Sequence, residues 1–334
     1  MKKSTKRLLL ILDAVLVLAL IAGVWLYQRR SAEKERQAIG EEDLSRRYAR
    51  SVTINGESVP LRRRLSALLL IGTDNIIDDA KQNEIEAFYN NNLSDFLVVL
   101  VFDHAAKTVT PFQINRDTMC DVPWLSVNGL VGGTEFQQIT FAHTYGSGKE
   151  DSCVNTRNAV SSLLYDVPID NFFSFTMDAV PLMNDAVGGV TVTLDEDIPA
   201  LGPEYVRGAS VTLRGQEALR FVRWRDTEQL DSNQPRMARH RLYLQAFTDA
   251  ARAAMSADEE LVTKLFIAAE PFLCTDLTVE QIADISAALR DYTGLPVVTP
   301  GGQYVMGEDY AEFHIDEASL AECVKSAFCA PDAS

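Results

Sequence analysis

The chain reads as an α/β domain with a central mixed sheet, mostly parallel or partly antiparallel, covered by helices on both faces. Three observations predict it. Ala67 to Ile71 is a short, continuously apolar run closed by Gly72, the pattern of a strand buried on both faces. Phe96 to Phe102 and Thr108 to Ile114 repeat that strand character on either side of an Asp103 to Lys107 turn. Helical spacing then alternates with strand: Ser152 to Tyr165, Met177 to Ala186 closing at Gly188-Gly189, and the strand Val190 to Leu194. With 334 residues, 47% of them hydrophobic, the chain can bury a full core.

Upstream, residues 1–7 precede a nearly unbroken apolar run, Leu8 to Tyr27, long enough for a transmembrane helix. A cleaved signal peptide is the rival reading, but no small-x-small site follows the run. Lys2, Lys3, Lys6 and Arg7 face Arg29, Arg30, Lys34 and Arg36 across it. Glu33 and Glu35 lie only on the far side, which tips the expectation toward a cytoplasmic N-terminus and an extracytoplasmic domain. Residues 28–64 read as a charged stalk or linker, and the domain is expected over 65–334. Its core falls at about 65–250, with an extension over 251–334, and further helices are expected at Met237 to Met255, Asp258 to Ala268, Val279 to Arg290 and Asp316 to Phe328.

Net charge is −16, and residues 1–36 hold eight basic against three acidic side chains, so the remainder is more acidic than the whole. Such a domain is not expected to bind nucleic acid. The five cysteines lack the CxxC pairs of a zinc site; Cys323 with Cys329, or Cys120 with Cys153, are the pairings considered. GxSxG, HExxH and P-loop patterns are absent.

Against this acidity, Arg220, Arg223, Arg225, Arg236, Arg239 and Arg241 form a lysine-free island. Guanidinium forks grip phosphate bidentately, so the island points to a polyanion, the bland alternative being a solvated cationic face. If 220–225 is extended, Arg223 and Arg225 share one face. Arg236, Arg239, His240, Tyr243 and Phe247 make one helical stripe, cationic at its start and aromatic beyond, which suits a ligand with an anionic head and an apolar tail. Asp74 and Asp95 stand at strand ends where α/β ligands collect, and as hard carboxylates they suit Mg²⁺ (or Mn²⁺); Arg116-Asp117 ends the third strand. Each Asp alone also reads as a cap or turn residue.

Six motifs in register between Leu65 and Phe247 resemble the LytR-CpsA-Psr (LCP) family of bacterial envelopes. They are Leu68-Leu69-Leu70-Ile71-Gly72-Thr73-Asp74, Ser94-Asp95, Asn115-Arg116-Asp117-Thr118, Ala142 to Gly146, Asp185 to Val190, and Gly215 to Leu219 followed by Arg223-Trp224-Arg225. The resemblance implies a single-pass bacterial membrane protein that transfers a glycopolymer (teichoic acid, capsule or a related polysaccharide) from a polyprenyl pyrophosphate carrier to peptidoglycan, with Mg²⁺ assisting. It implies Asp74 and Asp95 as metal ligands, and Arg116, Arg223, Arg225, Arg236 and Arg239 at the pyrophosphate, with His240 beside them. Asp117, then Asp231, are the candidates for assisting the acceptor hydroxyl.

Departures from the family pattern are Asn75, Leu93, Asn115 in place of proline, Gln138-Ile139-Thr140, and His240 in place of glutamine. His240 supplies charge only when protonated; the competing expectations are an imidazolium titrating near an ordinary value of about 6.5 and a neutral, packed ring. A noncatalytic polyprenyl-phosphate binder and a lipid pyrophosphatase remain as alternatives. A transcriptional attenuator is disfavoured, because neither a helix-turn-helix pattern nor a basic face is present.

Overall fold

The computed structural model describes residues 50–74, 90–126, 129–226, 228–258 and 261–330. The expected membrane span over 8–27, with most of the stalk, lies outside them. Among the described residues no helix is long and apolar enough to cross a membrane.

The described chain opens with a hairpin, β1 (Ser51–Ile54) and β2 (Glu57–Pro60), turning through Asn55-Gly56 with both residues at positive φ. Val52 and Ile54 are buried in the main core, Leu61 bridges to Cys329, and Arg62 Nε donates to the Cys329 carbonyl at 2.8 Å. The part of the expected stalk that is described is therefore domain, tied to the C-terminal end of the fold. The polar exposed face of the hairpin hid its alternate apolar positions.

There follow β3 (Leu65–Thr73), β4 (Ser94–Asp103), β5 (Thr108–Ile114), β6 (Met119–Leu125), β7 (Val131–Gln138), α1 (Glu150–Leu163), β8 (Asn171–Thr176), α2 (Ala179–Ala186), β9 (Val190–Thr193), β10 (Ser210–Leu213), α3 (Gln216–Arg223), α4 (Asn233–Ala257), α5 (Leu261–Ala269), β11 (Leu273–Thr275), α6 (Val279–Asp291), β12 (Thr293–Gly294), β13 (Gly302–Met306), β14 (Ala311–Ile315) and α7 (Glu317–Phe328).

Six strands make the central sheet in the order β11-β8-β3-β4-β5-β12. Only β3–β8 and β5–β12 pair in parallel; β3–β4, β4–β5 and β8–β11 are antiparallel. The sheet is thus mixed, with an antiparallel centre. A tight turn enforces it: the Asp103 carboxylate accepts the N–H groups of Ala105 and Ala106, and Lys107 takes a left-handed φ of 55°. The continuous apolar runs arise from burial of both faces. Leu69, Ile71, Val99 and Phe112 pack with α1 and α7 residues on one side, and Leu68, Val98 and Leu100 with Ala288 of α6 on the other.

A smaller cluster joins the β9–β10 hairpin, α2 and α3 to the flank of α4. Arg220 to Arg223 is the end of α3 and not extended chain, so the two-residue alternation read there does not hold. Helix α4 starts at Asn233, ahead of the expected Met237, because Pro235 falls in its first turn, where a missing N–H costs no hydrogen bond. All five cysteines are free thiols, so neither expected disulfide forms.

Candidate active site at the ends of the central strands

Strands β3 and β4 end beside one another, with Thr73 opposite Ser94 and a bulge at Gly72/Thr73. This places Asp74 and Asp95 at adjoining strand ends. Asp95 is buried, and its carboxylate spans two arginines: Oδ1 pairs closely with Arg116 Nη1, and Oδ2 accepts from Arg236 Nη1 at 3.0 Å. Arg116 Nε lies 3.3 Å from Asp117 Oδ1. Asp74 is partly buried, and its charge acts on both Arg116 and Arg236.

Burial sets the electrostatics of the two guanidiniums. It pulls Arg116 down to about 10, against the opposing charge of Asp117 and with the added repulsion of Arg236. Burial likewise lowers Arg236, with Asp117 and Asp74 opposing. Buried cations are costly, and the carboxylates offset the cost. Arg236 Nη2 nevertheless has no hydrogen-bond partner, and Arg116 Nε, though near Asp117, lacks the alignment of one. Unsatisfied buried guanidinium donors facing a carboxylate cluster are what an anion with several oxygens would complete.

Asn115, noted in the sequence only as a departure from the family pattern, and two residues unmarked there, Tyr304 and Asn233, hold this arrangement. Asn115, standing where the family pattern has proline, accepts at Oδ1 from the Asp117 N–H (3.0 Å) and from Asn233 Nδ2 (2.8 Å), and donates to Tyr304 OH at 2.9 Å. Tyr304 of β13 donates to Asp117 Oδ2 at 3.0 Å, and Asn233 Oδ1 accepts from Arg236 Nε at 2.9 Å. Burial and the charge of Asp117 push the Tyr304 phenol up, so it is a hydrogen-bond donor at any neutral pH. Phe313 N donates to the Asp117 carbonyl, which docks the β13–β14 hairpin against the site. The signal missed was pairing across a large sequence separation; only a polar Asn at a proline position hinted at it.

The remaining predicted residues divide. Arg225 is exposed and near enough to act on Arg116, whereas Arg223 is exposed at the end of α3. Arg239 is turned to other work: Nη1 donates to Glu196 Oε1 at 2.6 Å, Nη2 to the Trp224 carbonyl, and the guanidinium stacks 4.9 Å from the Trp224 ring centroid. Asp231 is exposed ahead of α4 and makes no hydrogen bond or ion pair with the cluster among the described residues.

His240 is buried and neutral. Burial first, and then Arg236, pull it down to about 3. Nε2 lies 2.8 Å from the Val222 carbonyl, which can only accept, so Nε2 carries the hydrogen. Of the two expectations for His240, this geometry favours the packed ring, which meets Phe96 edge-on at 5.4 Å.

From His240 the same face of α4 enters an apolar cavity of about 390 Å³ between the sheet and helices α4, α5 and α6. Leu68, Leu70 and Phe96 form its floor, with Tyr243 and Phe247 along α4. Of the stripe read from the sequence, His240, Tyr243 and Phe247 line the cavity, and Arg236 with its unpaired donor stands one helical turn before His240.

Carboxylates and buried arginines thus stand at the strand ends with an apolar cavity nearby, and the chain belongs to the LytR_cpsA_psr family, whose profile matches residues 23–326. It is similar to the protein named polyisoprenyl-teichoic acid–peptidoglycan teichoic acid transferase TagU of Bacillus subtilis (strain 168), at 25% identity over 88% of this chain and 84% of that protein. It is 28% identical to the protein of the same name from Bacillus cereus (strain AH820), over 51% of this chain and 47% of that one. The match to the Halalkalibacterium halodurans protein covers 65% of its length. The fold matches a structure described as TagT bound to LIIa-WTA (TM-score 0.59, 21% identity, 84% of this chain and 96% of that one). It also matches the crystal structure of B. subtilis TagU (TM-score 0.53, 21% identity, 78% and 94%).

Proposed function

We propose that the protein transfers a glycopolymer of the teichoic acid kind from a polyisoprenyl pyrophosphate carrier to peptidoglycan, at a bacterial cell membrane with its domain outside. The observation that carries the reading is that Arg236, with its unpaired buried Nη2, stands one helical turn before His240, which lines the apolar cavity. A pyrophosphate fits the first and a polyprenyl tail the second. The names of the relatives support the substrate class.

In this reading Arg116 and Arg236, with Arg225 at the exposed rim, neutralise the pyrophosphate oxygens. An acceptor hydroxyl attacks the phosphorus that bears the glycopolymer; the new O–P bond forms as the bridging P–O bond breaks, and polyprenyl phosphate departs. Asp117, oriented by Tyr304 and Arg116, takes the hydroxyl proton. Asp74 and Asp95, at the adjoining ends of β3 and β4, would be the hard donors for Mg²⁺ (or Mn²⁺), which would supply further charge neutralisation at the phosphates, with Asp95 then shared between the ion and its two arginines.

Mass spectrometry of the protein extracted from its native membrane tests the substrate class. The expected finding is a retained polyprenyl phosphate or pyrophosphate, lost in Arg236→Ala. Equal retention in Arg236→Ala, or an apolar lipid with no phosphate, contradicts it.

A further inference from the structure

Away from this site, a second chemical cluster lies between α1 and the edge strand β11. Cys153 of α1 is fully buried and packs in the main core with Cys274, which is half-buried on β11 and near enough for the two thiols to interact. The backbone accounts for the meeting. Cys274 stands opposite Ser174 in the β8–β11 ladder, and the Ser174 side chain also hydrogen-bonds Cys153. On the other side of Cys153, His143 Nε2 lies 3.7 Å from its sulfur. His143 is tautomerically fixed: Nδ1 is 2.9 Å from the Asn92 carbonyl and must carry the hydrogen, which turns the Nε2 lone pair to the thiol. Nothing in the transfer reaction uses Cys153, Cys274, Ser174 or His143.

We propose that Cys153 and Cys274 are a thiol–disulfide exchange site, with Cys274 as the attacking and Cys153 as the resolving cysteine, oxidised by a neutral or cationic disulfide. Cys274 is the thiol open to solvent, whereas Cys153 is fully buried. Its thiolate attacks one sulfur of RSSR, forming a mixed disulfide and releasing RS⁻. The Cys153 sulfur then attacks Cys274 Sγ, the second RS leaves, and the Cys153 proton passes to a departing thiolate beside the His143 lone pair. In total the dithiol and RSSR give the Cys153–Cys274 disulfide and two RSH.

Glu150, Asp151 and Asp276 all surround Cys274 with negative charge, which disfavours an anionic disulfide partner. The product would tie α1 to β11, the strand that follows α5 in the wall of the apolar cavity. Joining segments so distant in sequence restricts the unfolded chain and stabilises the fold.

The test treats the full chain, with its cysteines reduced, with cystamine, which is cationic, or glutathione disulfide, which is anionic, and maps the peptides. The site predicts loss of two hydrogens, a linked Cys153–Cys274 peptide, faster reaction with cystamine, and a Tm raised by about 5 °C that dithiothreitol reverses. Cys153→Ala should stop at a cysteamine adduct on Cys274. A wild-type adduct that persists on Cys274 without resolving, a linkage at Cys323 or Cys329 instead, or Cys274 left unmodified overturns the proposal, and mapping of the wild type alone is enough to read these outcomes.

Discussion

Asp95 holds two roles that the sequence did not separate. Its carboxylate pairs with two buried guanidiniums, so its removal takes the direct partner from Arg236 and the nearer one from Arg116 and leaves only Asp117 and Asp74 to offset their burial, a loss on the order of 3 kcal/mol. Asp95→Ala is therefore expected to lower both activity and Tm, whereas Asp74→Ala, which breaks no ion pair of that cluster among the described residues, should lower activity with Tm changed by no more than about 2 °C. Calorimetry on the two variants checks this; equal melting temperatures would remove the structural role of Asp95. Tyr304→Phe deletes the donor to Asp117 and should slow turnover by roughly tenfold with KM little changed, since its contact is to the proposed base and not to the lipid.

The histidines give a prediction with a definite sign. His240 and His143 are held at about 3 and about 4, below the ordinary value, mainly by burial. The unfolded chain therefore binds protons that the folded chain does not, and stability is present above about pH 6.5 and lost as pH falls toward those values. His240→Gln removes one of the two groups and should reduce the fall in Tm between about pH 6.5 and 4.5, while ligand affinity near neutral pH stays independent of this side chain's charge. Scanning calorimetry across that range decides; an unchanged slope would mean that His240 titrates normally.

At the scale of elements, the termini of the strands were legible and their pairing was not. Gly72 was read as the end of an apolar run, and the structure adds why it is glycine: a Cβ there would stand 2.9 Å from Phe96 Cβ and 3.4 Å from the Phe175 ring. Both rings line the cavity, so Gly72→Ala should cost about 1–3 kcal/mol and reshape the floor next to Asp74. Urea unfolding measures the cost, and a neutral result would show that β4 shifts freely. The strands β3, β4 and β5 were legible because uninterrupted apolar residues report burial on both faces. Their antiparallel order was carried by the short Asp103 to Lys107 turn, which the apolar pattern alone outweighed. Arg220 to Arg223 misled for a related reason: alternating charge reads as strand, but Ala218, Leu219, Phe221 and Val222 are the buried face of a helix.

Across the whole molecule, the motif residues came together where the strand ends meet, because each lies within a residue or two of an element boundary. What was illegible arrives from afar: Tyr304 reaches Asn115 across a separation of 189 residues, and no local pattern encodes such a contact. The cavity was foreshadowed only by the aromatic half of the α4 stripe, its other walls belonging to separate helices. The central claim, one continuous site for a charged head and an apolar tail used for transfer, is tested most directly by reconstitution. Purified protein would be given a polyprenyl pyrophosphate-linked glycopolymer, peptidoglycan oligosaccharides and Mg²⁺, with products resolved by mass spectrometry. The account predicts glycopolymer phosphate joined to peptidoglycan and an equal amount of polyprenyl phosphate, both lost in Arg236→Ala; release of free glycopolymer phosphate with no peptidoglycan adduct, or turnover unaffected by Arg236→Ala, would contradict it.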